Sequence, residues 1–230
     1  MQVDAILFDK DGTLFEFRAT WDVWAGRVIA DFSQGNADLA RALAQAIHYD
    51  LEGLAFRPES PVIAGTNREV AECMAPHLPD LPLARIERHL EVSAAQAELA
   101  PAVPLAAFLG GLLQRGLALG VMTNDSEYSA RAQLGEAGVL EHFGFVAGFD
   151  SGFGAKPDPD PLLAFCQQIG VAPARALMVG DSTHDLIAGR AAGMQTIGVL
   201  TGLAEAAELA PHADHVLPDI GHIPGLLQDL

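Results

Sequence analysis

A short apolar run, Ala5 to Phe8, is cut off by two carboxylates one residue apart, Asp9 and Asp11, and then by Gly12. A run of this length ending at a turn glycine predicts a buried strand closed by a tight turn. Residues i and i+2 of an extended chain point the same way, so Asp9 and Asp11 aim at one small volume, while Lys10 points the opposite way and is expected outside it. Two like charges in one volume repel unless something positive sits between them, and a divalent metal is the natural candidate. The plainer alternative is a solvated Asp-Gly turn closing a hairpin. The rest of the chain has to decide between them.

Composition narrows the partners. Half of the 230 residues are hydrophobic, enough for a sizeable core. Thirteen basic against thirty acidic residues give a net charge of -17, which argues against nucleic acid or an anionic membrane as a partner. A small anionic substrate is repelled by the same field, so a site for one must carry its own positive charge. Cys73 and Cys166 lie in separate apolar segments without metal-ligand spacing and read as packing residues of a reducing compartment. The N-terminus enters a strand pattern at once, without a secretory signal, and the stretch from Val103 to Leu113 is too short to span a bilayer. The expectation is a cytoplasmic protein.

After Leu14 the periodicity turns helical. Trp21, Trp24, Val28 and Ile29 form one stripe, with Thr20 as its expected N-cap; Leu39, Leu43, Ala46 and Ile47 form another after Asn36. Further helices are expected near Arg68 to Ala75 and Pro82 to Leu99, and no strand is expected in this region. At Ala100-Pro101-Ala102-Val103-Pro104 the composition breaks. From there short apolar strands (Leu117 to Met122, Phe145 to Ala147, Ala176 to Val179, Thr196 to Val199, His215 to Leu217) alternate with helices near Leu105 to Gln114, Glu127 to Ala137, Pro159 to Ile169, Asp185 to Ala192 and Leu203 to Leu209. Alternation of strands apolar on both faces with helices predicts an α/β fold with a parallel sheet. The expected organisation is a Rossmann-like core over residues 1–14 and 100–230, with a helical cap over 15–99.

In open sheets of this class, ligands bind beyond the carboxyl ends of the strands. The first strand is followed by Asp9 and Asp11, the strand ending at Met122 by Thr123, Asn124 and Asp125, and the strand ending at Val179 by Gly180, Asp181, Ser182 and Asp185. Lys156 precedes the helix that starts near Pro159. It is one of only two lysines, the other being Lys10, and both lie in these loops. Taken singly, Thr123 with Asn124 reads as a helix-capping turn and Asp181 with Asp185 as a cap and a solvated face.

Asp9-Lys10-Asp11-Gly12-Thr13, Thr123, Lys156-Pro157 and Gly180-Asp181-Ser182 with Asp185 resemble, in order and approximate spacing, the four motifs of the haloacid dehalogenase superfamily, in its phosphatase branch. The Phe-Asp-Lys-Asp-Gly-Thr-Leu opening and the Lys-Pro-Asp-Pro segment are most similar to phosphoglycolate phosphatase-like members. The resemblance implies that Asp9 is the nucleophile of an aspartyl-phosphate intermediate and that Asp11 protonates the leaving oxygen, then activates water. It implies Mg2+ on Asp9, the backbone carbonyl of Asp11 and Asp181, with Asp185 behind them orienting Lys156 or a metal-bound water. Gly12, Thr123, Asn124 and Lys156 are the expected phosphoryl contacts. Haloacid dehalogenases lack the second acidic residue, so Asp11 favours phosphoryl chemistry.

The expected substrate is a small phosphorylated metabolite, phosphoglycolate-like or a sugar phosphate. Specificity is expected in the cap, where Arg18 and Arg68 suit a carboxylate or second anion, with Trp21, Arg57 and Thr66 as further candidates. Two alternatives stand beside a magnesium-dependent phosphatase. One is a phosphomutase of the same architecture, and the other a non-enzymatic phosphoacceptor module, which the chain length and the helical insertion disfavour. The sequence does not fix the oligomeric state.

Overall fold

The computed structural model describes residues 2–227. Strand β1 (Ala5–Phe8) leads into a turn and then into the helical insert. Helix α1 (Phe17–Ser33) starts at Phe17, three residues before the expected cap. Phe17 lies one turn before Trp21 on the same stripe and is buried with it, so the apolar face draws the first turn of helix out of the loop, and Thr20 becomes a buried interior residue. Helix α2 (Ala37–Ala46) is capped as expected, the Asn36 side chain accepting from the backbone N–H groups of Asp38 and Leu39.

The insert does contain strand. Strands β2 (Tyr49–Asp50) and β3 (Ala55–Phe56) form an antiparallel ribbon, too short to leave an alternating pattern in the sequence. It is held by the Tyr49–Phe56 ring pair, centroids 5.2 Å apart, and by the Tyr49 hydroxyl donating to the Asp22 carbonyl at 2.8 Å. Helix α3 (Asn67–Met74) opens with a capping box between Thr66 and Glu69, and α4 (Leu83–Ala95) completes the insert. Phe17, Trp24, Ile29, Leu43, Val70, Ile86 and Leu90 belong to one apolar cluster confined, in its buried residues, to the insert.

The chain then alternates: α5 (Leu105–Gln114), β4 (Ala118–Met122), α6 (Glu127–Glu136), β5 (Phe145–Ala147), α7 (Asp160–Ile169), β6 (Ala176–Gly180), α8 (Thr183–Ala192), β7 (Gln195–Val199), α9 (Ala206–Leu209), β8 (His215–Leu217) and α10 (Ile223–Leu226). The helix expected from Leu203 is shortened to α9. The residues before it are drawn onto the turn after β1, where the Thr201 hydroxyl donates to the Gly12 carbonyl at 2.6 Å.

The six long-range strands form one parallel sheet in the order β5-β4-β1-β6-β7-β8, the expected Rossmann-like α/β architecture. β1 is central, and every one of its side chains is buried. Ile6 and Phe8 enter the cluster containing Leu109, Val121 and Val179 on one face; Ala5 and Leu7 enter the cluster containing Phe165, Met122 and Met178 on the other. That two-sided burial explains a strand apolar at consecutive positions. Sheet order reverses at β1, with β4 on one side and β6 on the other, and Phe8 is in register with both Val121 and Val179. The residues after all three strands therefore converge on one crevice. Among the described residues no helix is long and apolar enough to cross a membrane.

Candidate active site

Asp9 leaves β1 with its backbone N–H donating to the Val179 carbonyl at 2.8 Å, which fixes the carboxylate at the mouth of the crevice. Lys156 reaches it from the loop before α7. Its ammonium lies 2.7 Å from Asp9 Oδ1 and 2.6 Å from Asp185 Oδ1, with little of the side chain exposed. Asp185 is held in turn by the first turn of α8, where its Oδ2 accepts from the Ser182 N–H at 3.0 Å and the Ser182 hydroxyl at 2.7 Å. Gly180 makes room for it, since a Cβ there would sit 2.2 Å from Asp185 Cγ.

Asp181 occupies a cradle with no space for further side chains. A Cβ on Gly12, which has φ +77°, would lie 2.3 Å from Asp181 Oδ2, and one on Gly202 would lie 1.7 Å away. The Thr13 hydroxyl donates to Asp181 Oδ1 at 3.2 Å. Asp9, Asp181 and Asp185 are all buried, and each offers an oxygen within 4.8 Å of the others'. Burial raises the Asp9 pKa to about 7, Lys156 opposing the rise and Asp185 and Asp11 adding to it. Burial also pushes Asp181 well above the usual carboxylate range, reinforced by Asp9 and Asp185. Buried oxygen ligands that repel one another, one of them packed between two glycines, fit a hard divalent cation such as Mg2+.

Asp11 faces a different partner. Lys10 is not outside the site: it is fully buried, and its ammonium lies 2.7 Å from Asp11 Oδ2 and 3.2 Å from Asp125 Oδ2. It also donates to Gln133 Oε1 and lies 5.3 Å from the centre of the Trp21 ring. Simple alternation fails because the strand has ended. The Lys10 carbonyl accepts from the N–H groups of Leu14 and Phe15 at 2.9 and 3.1 Å, so the chain is already in a turn. Burial works to lower the Lys10 pKa, but Asp11 and Asp125 outweigh it and raise it. Burial raises the Asp11 pKa against the pull of Lys10, and its Oδ1 is buried without a hydrogen-bond partner.

Thr123 follows β4 and is buried, with its Oγ1 accepting from the Asp125 N–H at 3.1 Å, which leaves the hydroxyl proton free. Asn124 has another task. Its amide donates to the carbonyls of Lys156 and Ala64, each at 2.8 Å, and accepts from the Lys156 N–H at 2.9 Å, so it clamps the Lys156 loop and has no donor left for a substrate. The Lys156–Pro157 peptide bond in that loop is cis. Gly12 likewise spends its N–H on the Phe15 carbonyl.

A cavity of about 50 Å³ lies above these residues, lined by Asp9, Asp11, Thr123, Asn124, Lys156 and Asp185 from the core side and by Phe17, Trp21, Trp24, Val62, Ile63 and Val70 from the insert. Neither arginine expected at the substrate reaches it. Arg18 is exposed and lies 3.8 Å from Asp22, and Arg68 is exposed and bonded to Glu72 and Glu87. Both belong to solvated helix faces, where an i+4 acid is the nearest partner. Arg57 and Thr66 are absent from the lining, whereas Trp21 is present. Asn67, Gln133 and His184 are polar groups at the junction that the sequence did not single out. Asn67 donates to Asp125 at 2.8 Å, Gln133 donates to the Ala94 carbonyl at 2.7 Å, and His184 Nδ1 lies 3.2 Å from the Ala64 carbonyl. Their partners are 58, 39 and 120 residues away in the chain, so no local spacing announces them.

The model of the haloacid dehalogenase-like hydrolase family matches residues 3–193, from β1 through α8 and thus every acidic group described above. The chain belongs to that family. Among its relatives, the phosphoglycolate phosphatase of Escherichia coli K12 is 38% identical over 94 residues, 41% of this chain and 37% of that protein. This hydrolase thus matches well under half the length of that relative. A predicted phosphoglycolate phosphatase from Haemophilus somnus superposes with a TM-score of 0.72 at 21% identity, covering 99% of each chain. The β-phosphoglucomutase of Clostridium difficile superposes at 0.68 and 15% identity, covering 99% of this chain and 96% of that one. At these identities the superpositions speak for the shared fold of the hydrolase, including the helical insert.

Proposed function

We propose that the protein is a Mg2+-dependent phosphatase that cleaves a small phosphomonoester through an aspartyl-phosphate on Asp9. The observation that carries this reading is the pair of carboxylates after β1 held in opposite ways. Asp9 is bound to Lys156 within the Asp181–Asp185 cluster, whereas Asp11 is bound to Lys10 and keeps one buried oxygen unpaired. Two carboxyl groups with different partners can divide nucleophile from acid.

In this mechanism Asp9 attacks phosphorus in line with the leaving oxygen. Asp11, whose pKa burial raises, gives its proton to that oxygen as the bond breaks. The alcohol departs, and Asp11, now ionised, takes a proton from the water that attacks the phosphoaspartate; Asp9 is regenerated and phosphate released. The Lys156 ammonium and the Thr123 hydroxyl hold the phosphoryl oxygens, supplying the local positive charge that a chain of net charge -17 needs. Asp9, Asp181 and the backbone carbonyl of Asp11 would hold the magnesium, with Asp185 orienting Lys156. When bound, the ion supplies charge neutralisation at the phosphoryl oxygens. The insert, residues 15–99, acts as the cap that excludes water during transfer.

The phosphatase name of the E. coli relative supports the reading. The test is phosphate release from a panel of phosphomonoesters with and without Mg2+. Release should require the ion, stop with chelator and be suppressed by Ca2+, whose larger coordination shell fits the same oxygens poorly. Asp181→Ala should raise the Mg2+ concentration needed for half-maximal rate by at least tenfold. Conversion of a sugar phosphate to its isomer without phosphate release would favour a mutase instead.

A further inference from the structure

The insert's share of the cavity wall is apolar. Phe17, Trp21, Trp24, Val62, Ile63 and Val70 form it, and Asn67, its polar member, spends its amide on Asp125. The core side presents four carboxylates, Asp9, Asp11, Asp125 and Asp185, and both nearby ammonium groups are already committed to them: Lys156 bridges Asp9 and Asp185, and Lys10 lies behind Asp11 and Asp125. His184 also lines the cavity, but its Nδ1 faces the Ala64 carbonyl. Arg18 and Arg68 point to solvent with acidic partners of their own. The indole N–H of Trp21, a buried side chain on this wall, faces the Asp11 carboxyl and works to lower its pKa, so it is not a free donor for a ligand.

Building on the phosphatase reading, we infer that the alcohol carried by the phosphate is uncharged: a compact neutral body with an apolar face turned to the insert. A carboxylate placed against the insert would leave water for an apolar wall with no free cation, and a buried unpaired charge is strongly disfavoured. A neutral body loses little on desolvation and gains from contact with Trp21, Trp24 and Ile63. The site thus discriminates against substrates with a second anion, 2-phosphoglycolate among them, by the cost of desolvating that anion without a partner.

The experiment measures kcat/KM with Mg2+ for propyl phosphate and glycerol 3-phosphate, whose alcohols are neutral, against 2-phosphoglycolate and 3-phosphoglycerate, with p-nitrophenyl phosphate as a check on the chemistry. The better neutral ester should exceed the better carboxylate by at least about tenfold. Ile63→Arg, which puts a cation on the wall, should shrink that ratio, mainly by lowering KM for 2-phosphoglycolate. Val62→Lys serves the same purpose should Ile63→Arg fail to fold. A wild-type ratio below tenfold, with p-nitrophenyl phosphate cleaved, overturns the inference and leaves the phosphatase reading intact. Failure to cleave p-nitrophenyl phosphate or any ester overturns the phosphatase reading, and the inference with it.

Discussion

Replacing Lys10 with methionine tests whether the buried ammonium beside Asp11 matters for charge or only fills space. Methionine keeps most of the stem and can still lie against the Trp21 ring, so packing changes little. What disappears is the counter-charge for Asp11 and Asp125, whose side chains are 15% and 6% exposed. Breaking a buried ionic cluster by removing one partner costs about 3–5 kcal/mol. For a chain of this size that is a fall in Tm of roughly 6–20 °C, at about 2–4 °C per kcal/mol. The sign of the pH dependence follows from Asp11. Burial already raises its folded pKa above the unfolded value and Lys10 opposes that rise, so the variant raises it further. A carboxyl with a raised folded pKa holds its proton in the native state, so stability falls as pH climbs from the unfolded value through the folded one. The deficit of Lys10→Met should therefore be larger at pH 8 than at pH 5. Urea unfolding followed by circular dichroism, with chelator present, measures it. Adding Asp11→Asn should recover at least about 1 kcal/mol as a coupling energy. An equal deficit at both pH values, or no coupling with Asp11→Asn, would refute the electrostatic account and reduce Lys10 to packing.

Asp9→Asn should abolish turnover while leaving circular dichroism unchanged. Because burial raises the folded Asp9 pKa from 3.8 to about 7, the metal-free wild type loses stability as pH climbs through that window, so the variant should gain on the wild type steadily from pH 4 to pH 8. Asp11→Asn should slow an alkyl phosphate by about 100- to 10,000-fold, yet still release a burst of nitrophenolate near one equivalent per site from p-nitrophenyl phosphate in rapid mixing. Equal losses on both substrates without a burst would remove Asp11 from the acid role. Gly202→Ala, whose Cβ would lie 1.7 Å from Asp181 Oδ2, should displace that carboxylate and raise the Mg2+ requirement as Asp181→Ala does; an unchanged magnesium titration would show that the cradle is slack.

The motif positions could be read in the sequence because each sits directly after an apolar strand, and strand ends in a parallel sheet are marked locally by the change from apolar run to polar turn. The strands Phe145–Ala147 and His215–Leu217 and the helix Leu105–Gln114 fall where the pattern put them. The shorter pieces escaped it: two residues per strand in the ribbon at Tyr49 and Phe56 carry no periodicity, and pairing with each other and with Asp22 makes them strands.

Side-chain direction beyond a strand's end was not legible either. Lys10 was expected to point away from Asp11 by alternation, but the turn that begins at its carbonyl brings the ammonium back under Asp11, where Asp125, Gln133 and Trp21 enclose it. Arginine at Arg18 or Arg68 is chemically suited to an anion, yet which face of a helix meets the site depends on how the insert sits on the core, and both faces turned out to be solvated. The local order of residues thus determined which groups stand at the sheet's carboxyl edge. The docking of distant segments, which depends on burial summed over the whole chain, decided which of them became partners and left the insert's wall of the cavity apolar.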